Sequence, residues 1–182
     1  MSEELVVRCC APTLASLKTG NMFNCRCDSE TELYAQMRSL NRRLGRKGLR
    51  VLPLRYRGGT ALVYFYRPGK LREDLEHATA FALLNERGYP CGNANRCVRS
   101  LMARLAREDE FPHEIGLFLG YPPEDVEGFI HRRGEEKWSG CWKVYGDVAS
   151  TQKTVARYRK CTDVYLRALA GGRTLERLAV AR

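Results

Sequence analysis

The stretch RVLPLRYRGGTALVYFYR, Arg50 to Arg67, decides the fold class of this 182-residue chain. Two runs rich in apolar and aromatic residues flank Gly58 and Gly59, and a glycine pair between such runs marks a two-residue hairpin turn. Alternation in each run predicts that Leu52, Leu54, Tyr56, Ala61, Val63 and Phe65 share the core face. The opposite face then carries Val51, Pro53, Arg55, Arg57, Leu62, Tyr64 and Tyr66. Arginine and tyrosine interleave there as on surfaces that stack nucleic-acid bases, and the pattern equally fits a second sheet face covered by helices.

Upstream of the hairpin, Ser29 and Glu32 form an S-x-x-E capping box ahead of Leu33, Met37, Leu40 and Leu44, one apolar helical stripe. Arg42, Arg43, Arg46 and Lys47 crowd the end of that helix, where cations complement the dipole, and Gly48 stops it. Asn21 to Cys25 reads as a strand. Ser2, Glu3 and Glu4 read as a helix cap and first turn, although ELVVRCC equally fits a short strand, and Pro12 opens a separate turn that Gly20 ends. Downstream, Pro68 to Glu86 is loosely amphipathic helix, and Asn93 or Asn95 caps a helix with Cys97, Leu101 and Leu105 on one stripe. Trp142 and Val144 alternate with Lys143 and Tyr145 in a short strand. Gly146 and Asp147 turn the chain into a long last helix whose inward stripe is Val155, Tyr158, Thr162, Tyr165 and Leu169, with Gly171 and Gly172 at its end. No repeat, low-complexity segment or linker interrupts this order. The reading predicts one compact α+β domain, residues 1–182, with a small mixed sheet of about four strands around the central hairpin, packed by several helices.

The segment FPHEIGLFLGYPPEDVEGFI, Phe111 to Ile130, reads as two short helices joined by a glycine-proline corner. Pro112 suits a first helical turn, Gly120 a left-handed end, and Pro123, Glu124 and Asp125 a second helix start. Val126, Phe129 and Ile130 form its buried stripe. His113, Gly116, Leu117 and Gly120 fall on one helical face, so the imidazole stands beside a strip without side chains. Either a ligand or another backbone enters that slot, or a neighbouring helix packs into it.

Hydrophobic residues at 44% and charged residues at 29% describe a globular chain, and no apolar run approaches the ~18 residues of a membrane span. The N-terminus MSEELVVRCC has acids where a signal peptide has bases, which points to the cytoplasm. Net charge is +10, from 31 basic and 21 acidic residues, which favours polyanionic partners. The 8 cysteines lack any C-x-x-C pair, so in a reducing compartment they suggest thiol chemistry or scattered metal ligands rather than a zinc ribbon.

Several chemistries follow. A thiol-centred site, redox or nucleophilic, would use Cys10, set by the Pro12 turn at a helix N-terminus that lowers its pKa. His113 would serve as base, Glu114 or Asp147 would orient it, and Cys9 would offer a resolving thiol. Metal or an iron-sulfur cluster would be held by Cys25 and Cys27 on one strand face, completed by Cys91, Cys97 or His113. Cys141 and Cys161 read as buried packing residues. RNA or another polyanion would bind Arg55, Arg57, Tyr64 and Tyr66 together with Arg42, Arg43 and Arg46. A protein-interaction role with charge serving solubility is the remaining alternative. The sequence specifies neither a cofactor nor a protein partner.

RCCAPTLASLKTGNMF, LPLRYRGGTALVYFYRP, FPHEIGLFLGYPPEDVEGFI, CWKVYGD and YRKCTDVY, in that order, resemble the uncharacterised bacterial Domain of Unknown Function family three-seven-nine-three. The likeness runs from about Leu5 to about Leu178. The family is best represented in Gram-positive anaerobes, so the resemblance implies a single-domain cytosolic protein in a low-oxygen setting and carries no reaction with it. Members often have histidine at the position of Cys9, so the resemblance implies no required His-Cys pair there.

Overall fold

The structure, a computed structural model, describes residues 1–107 and 111–181. In chain order its elements are α1 (Glu3–Leu14), β1 (Gly20–Arg26), α2 (Glu30–Leu44), a 3-10 turn (Gly45–Lys47), β2 (Arg50–Arg57), β3 (Thr60–Tyr66), α3 (Pro68–Glu76), α4 (Ala78–Glu86), α5 (Ala94–Arg107), α6 (Ile115–Phe118), α7 (Pro123–His131), β4 (Trp138–Ser139), β5 (Lys143–Val144), α8 (Val148–Ala170) and α9 (Leu175–Leu178). The fold is α+β. Its contacts divide the chain into two compact units, residues 1–69 with 158–182, and residues 70–157.

The first unit is built on an antiparallel sheet of order β1-β3-β2. Gly58 and Gly59 take positive φ of 54° and 73°, the turn the hairpin requires. Val51 pairs with Phe65 and Pro53 with Val63, then the register shifts before Arg55. This corrects the strict alternation expected for β2. Val51, rather than Leu52 and Leu54, joins Ala61, Val63 and Phe65 in the cluster that α1 and α2 cover; Leu52 lies opposite Tyr64, and Leu54 is buried outside that cluster. Pro53 has no N–H to give a ladder, and the bulge beside it absorbs one residue and flips the earlier half of the strand.

Onto that core face pack Val6, Val7, Cys10 and Leu14 of α1, the buried stripe Leu33, Met37, Leu40 and Leu44 of α2, and Leu175 and Leu178 of α9. Ser29 Oγ accepts the Glu32 N–H at 3.1 Å, and Gly48 ends the segment at φ 74°. Ser2 Oγ accepts the Leu5 N–H at 3.2 Å to start α1. Pro12 lies inside α1 instead of opening a turn of its own. Its carbonyl accepts the N–H groups of Leu17 and Lys18 at 2.8 and 3.2 Å, so the helix closes after the proline and not before it.

In the second unit the segment expected to be one loose helix from Pro68 breaks at His77 into α3 and α4. Asn93 Oδ1 accepts the Arg96 N–H at 3.0 Å and starts α5, whose Cys97, Leu101 and Leu105 are buried. At the corner between α6 and α7, Gly120 has φ 71° and Pro123 opens α7 as expected, but α6 begins only at Ile115, so Pro112 and His113 precede the helix they were expected to start. A Cβ on Gly116 would stand 2.8 Å from Val126 Cγ2 and 3.0 Å from Tyr121 Cδ2, so the bare strip of α6 is where α7 packs. β4 and β5 form a two-stranded antiparallel hairpin, Trp138 opposite Val144. Among the described residues no helix is long and apolar enough to cross a membrane.

Candidate functional site

The corner sequence places a cleft. Ile115 and Gly116 of α6, Tyr121 of the corner, Asp125, Val126 and Phe129 of α7, and Cys141, Trp142 and Lys143 at β5 enclose about 230 Å³ together with His113. Its walls are rings. Tyr121 stacks on Trp142 with centroids 4.6 Å apart and planes 21° from parallel, and His113 meets Phe129 edge-on at 5.3 Å. Stacked and T-shaped pairs hold each other in place, so these faces are fixed before anything binds.

Asp125 anchors the wall. It is 2% exposed, yet both oxygens are satisfied: Oδ2 accepts the Trp142 Nε1–H at 2.8 Å, and Oδ1 accepts the backbone N–H groups of Tyr145 and Gly146 at 2.7 and 2.8 Å. A buried carboxylate with three donors is a strut, because every lone pair spent on the fold is unavailable to substrate. The helix turn that puts Asp125 near the start of α7 thereby fixes the indole of Trp142. At the rim, Lys143 pairs with Glu136 and holds that carboxyl below its ordinary pKa, first through the hydrogen bond itself. Arg133 donates to the Nε2 of His113 and lies over the ring of Phe129 at 5.3 Å.

Glu114 turns away from His113. It is 1% exposed, accepts the Tyr89 hydroxyl at 2.8 Å, and faces Arg87 at 3.4 Å and Arg104 at 4.0 Å. Its place is a buried ion network, not the orientation of an imidazole. Asp147 is exposed and its Oδ1 accepts the Ser150 N–H at 3.1 Å, the N-cap of α8.

Cys10 belongs to the first unit and is 0% exposed in mid-helix, so the expected helix N-terminus is absent. Burial pushes its thiol well above the ordinary value, more than the nearby Lys18 cation lowers it. Cys9, half-buried, is raised by burial as well. Cys25 and Cys27 both lie in the first unit's core. Burial, then the neighbouring thiol, raises Cys25 to about 11. Cys91 and Cys97, in the second unit, turn their thiols to the carbonyls of Phe81 and Pro90 at 3.7 and 3.5 Å. Among the described residues no group of three or more His, Cys, Asp or Glu is placed to hold a metal ion. Cys141, expected to be buried, is exposed, and Cys161 is partly buried against the core.

Tyr64 and Tyr66 stack on each other at 4.3 Å and are 0% and 4% exposed, so neither ring face is open to a base. Arg55 is half-buried, Arg57 exposed, and Arg43 binds both Glu3 and Glu176. Arg42 and Arg46 are exposed. Sequence reasoning found His113 but missed Tyr121, Phe129 and Trp142 as walls. Their signal was the cluster of rings on either side of the proline corner, which no periodicity brings together.

Residues 6–179 match the model of a family described as protein of unknown function (DUF3793). The chain belongs to that family. The match covers nearly the whole chain, so both units described above are part of the family's fold. No curated protein and no solved structure gave a match.

Proposed function

We propose that this family member is a small-molecule binding protein whose cleft in the second unit receives a flat, largely apolar ring system carrying one acidic group. The observation that supports this is the wall of four rings, Tyr121, Trp142, His113 and Phe129, around about 230 Å³. Ligand sites run from roughly 300 to 1,000 Å³, so a volume just below that range suits one or two fused rings and excludes a dinucleotide. Ile115 and Val126 give the lining its apolar character, and at the rim Arg133 beside His113, together with Lys143, which a ligand acid would take over from Glu136, offers cations for a carboxylate or phosphate. All eight cysteines are free thiols, which supports the reducing cytoplasmic setting read from the sequence.

Calorimetric titration with naphthoate and with its neutral alcohol analogue tests the reading. We expect saturable one-to-one binding, weaker for the alcohol, at least tenfold weaker in Phe129→Ala and Tyr121→Ala, and stripped of its preference for the acid in Lys143→Ala. Absence of saturable binding across a panel of flat ring acids, from single rings to fused pairs, would remove it.

A thiol-centred site is a second reading, moved from Cys10 to Cys141. It is favoured by the exposure of Cys141 and by its place in the same cleft as His113. The rate of Cys141 alkylation against pH, in the natural protein and in His113→Ala, decides it. A curve moved to higher pH in the variant supports a base role for His113, and superimposable curves exclude one.

A further inference from the structure

The arginines of α2 lie in the first unit, apart from anything the cleft explains. The apolar stripe Leu33, Met37, Leu40 and Leu44 faces the core, so at 3.6 residues per turn the side facing solvent is the one carrying Tyr34, Ala35, Arg38 and Arg42. Arg38, Arg42 and Arg46, four residues apart, and Arg50 at the start of β2 are all exposed. None of these four makes an ion pair among the described residues, in contrast to Arg43, which is taken by Glu3 and Glu176. Both acids of α2, Glu30 and Glu32, sit in its first turn, and Glu32 is engaged by Gln36 Nε2 at 2.7 Å. Tyr34, one turn before Arg38, is among the few large rings left at the surface, 46% exposed.

We propose that this face, Tyr34 with Arg38, Arg42 and Arg46, binds single-stranded RNA. Arg38 and Arg42 stand one four-residue step, about 6 Å, apart along α2, and Arg46 follows in the 3-10 turn just past its end, so exposed guanidiniums succeed one another where a strand can lay successive phosphates. The tyrosine at the head of the row offers the π-face on which an unpaired base stacks. Unpaired bases are the ordinary state of RNA loops, whereas duplex DNA must be opened to present them. A membrane surface is disfavoured because the apolar side of α2 is committed to the core and has nothing to insert. The base-stacking platform expected at Tyr64 and Tyr66 is thereby replaced by one on the neighbouring helix, and the assignment is independent of the cleft and its ligand.

Fluorescence anisotropy with a labelled, unstructured RNA twelve-mer tests the proposal on the full chain. Three neutralised phosphates give a salt slope of roughly −2, so raising salt from about 50 to about 200 mM is expected to weaken binding about 20-fold. The triple variant Arg38→Glu, Arg42→Glu, Arg46→Glu is expected to lose binding at least tenfold and to flatten the slope, with its circular dichroism unchanged because all three side chains are solvent-exposed. Tyr34→Ala is expected to weaken binding several-fold while keeping the slope, since stacking carries no counterion release. Reversal of the exposed Lys153, Arg157 and Lys160 on α8 is the charge-matched control and is expected to leave binding within twofold. The proposal is overturned if the natural protein does not bind the RNA at low salt, if the triple variant binds equally well, or if the control reversal weakens binding as much. Equal or tighter binding to duplex DNA or to anionic phosphatidylserine vesicles also overturns it.

Discussion

Arg67 is 2% exposed, and its guanidinium donates to four backbone carbonyls: Nε to Thr13 at 2.7 Å, Nη1 to Lys47 at 3.0 Å, and Nη2 to Leu14 and Val180, each at 2.8 Å. One side chain therefore ties together the end of α1, the 3-10 turn and the C-terminal segment, adding to the backbone N–H bonds that Ser16 gives Thr13 and Val180 gives Leu14. Lysine keeps the charge but has neither the planar fork nor the reach. Arg67→Lys is expected to destabilise the protein by about 2–4 kcal/mol, read as a lower urea midpoint at unchanged slope. Asp125 plays the matching part in the second unit. In Asp125→Asn the amide oxygen can serve the N–H groups of Tyr145 and Gly146, but its NH₂ then faces the indole N–H of Trp142, donor against donor. The expected cost is about 2 kcal/mol, with binding in the cleft weakened as well because the Trp142 face loses its strut. Neither role was legible in the sequence. Arg67 read as the end of a strand and Asp125 as one of two acids at a helix start, because long-range partners leave no local pattern.

Elements were legible where their signal is local. The capping box of α2, the glycine pair of the hairpin and the proline opening of α7 each act through neighbours within four residues, and each is found where expected. The face assignment of β2 failed because a bulge beside Pro53 is invisible to a period-two count. Pro12 also misled: α1 runs two residues past it, to Leu14, so this proline does not mark a helix boundary. At this scale α1, α2 and α9 are clipped together by Arg43, which binds Glu3 and Glu176. Arg43 draws the Glu176 pKa down from 4.5 to about 2, mainly through the hydrogen bond itself. A depressed carboxyl contributes stability above its unfolded pKa and loses it as pH falls through the folded one. Urea midpoints measured from neutral pH to about pH 2 are therefore expected to show an acid-limb loss between roughly pH 4.5 and pH 2 that is smaller in Arg43→Met. Equal limbs in the two proteins would show that the clip adds nothing. Because both carboxylates are about a third exposed, high salt is expected to shrink the difference.

Over the whole molecule the eight cysteines sort by exposure rather than by motif. Cys141 is expected to react first in a short alkylation pulse, Cys9, Cys91 and Cys161 more slowly, and Cys10, Cys25, Cys27 and Cys97 only on unfolding, as peptide mass spectrometry would show. Composition carried the basic charge, and the hairpin with its flanking helical stripes carried the α+β class. It could not say which of the cysteines and arginines face solvent, since that depends on the α2 stripe, the sheet register and the fold around the proline corner together. The two surfaces argued for here, a ring-walled cleft in one unit and an arginine row in the other, stand on separate observations. The cleft is the central claim, and Trp142 in its wall reports on it directly. In a Trp138→Phe background Trp142 is the single indole, since the chain has 2 tryptophans. Titration with naphthoate is expected to quench its emission saturably, with the same midpoint as the calorimetric binding curve, and to do so far more weakly in Phe129→Ala. Emission that is unchanged, or that falls linearly without saturation as in collisional quenching, would contradict a ligand seated against that ring.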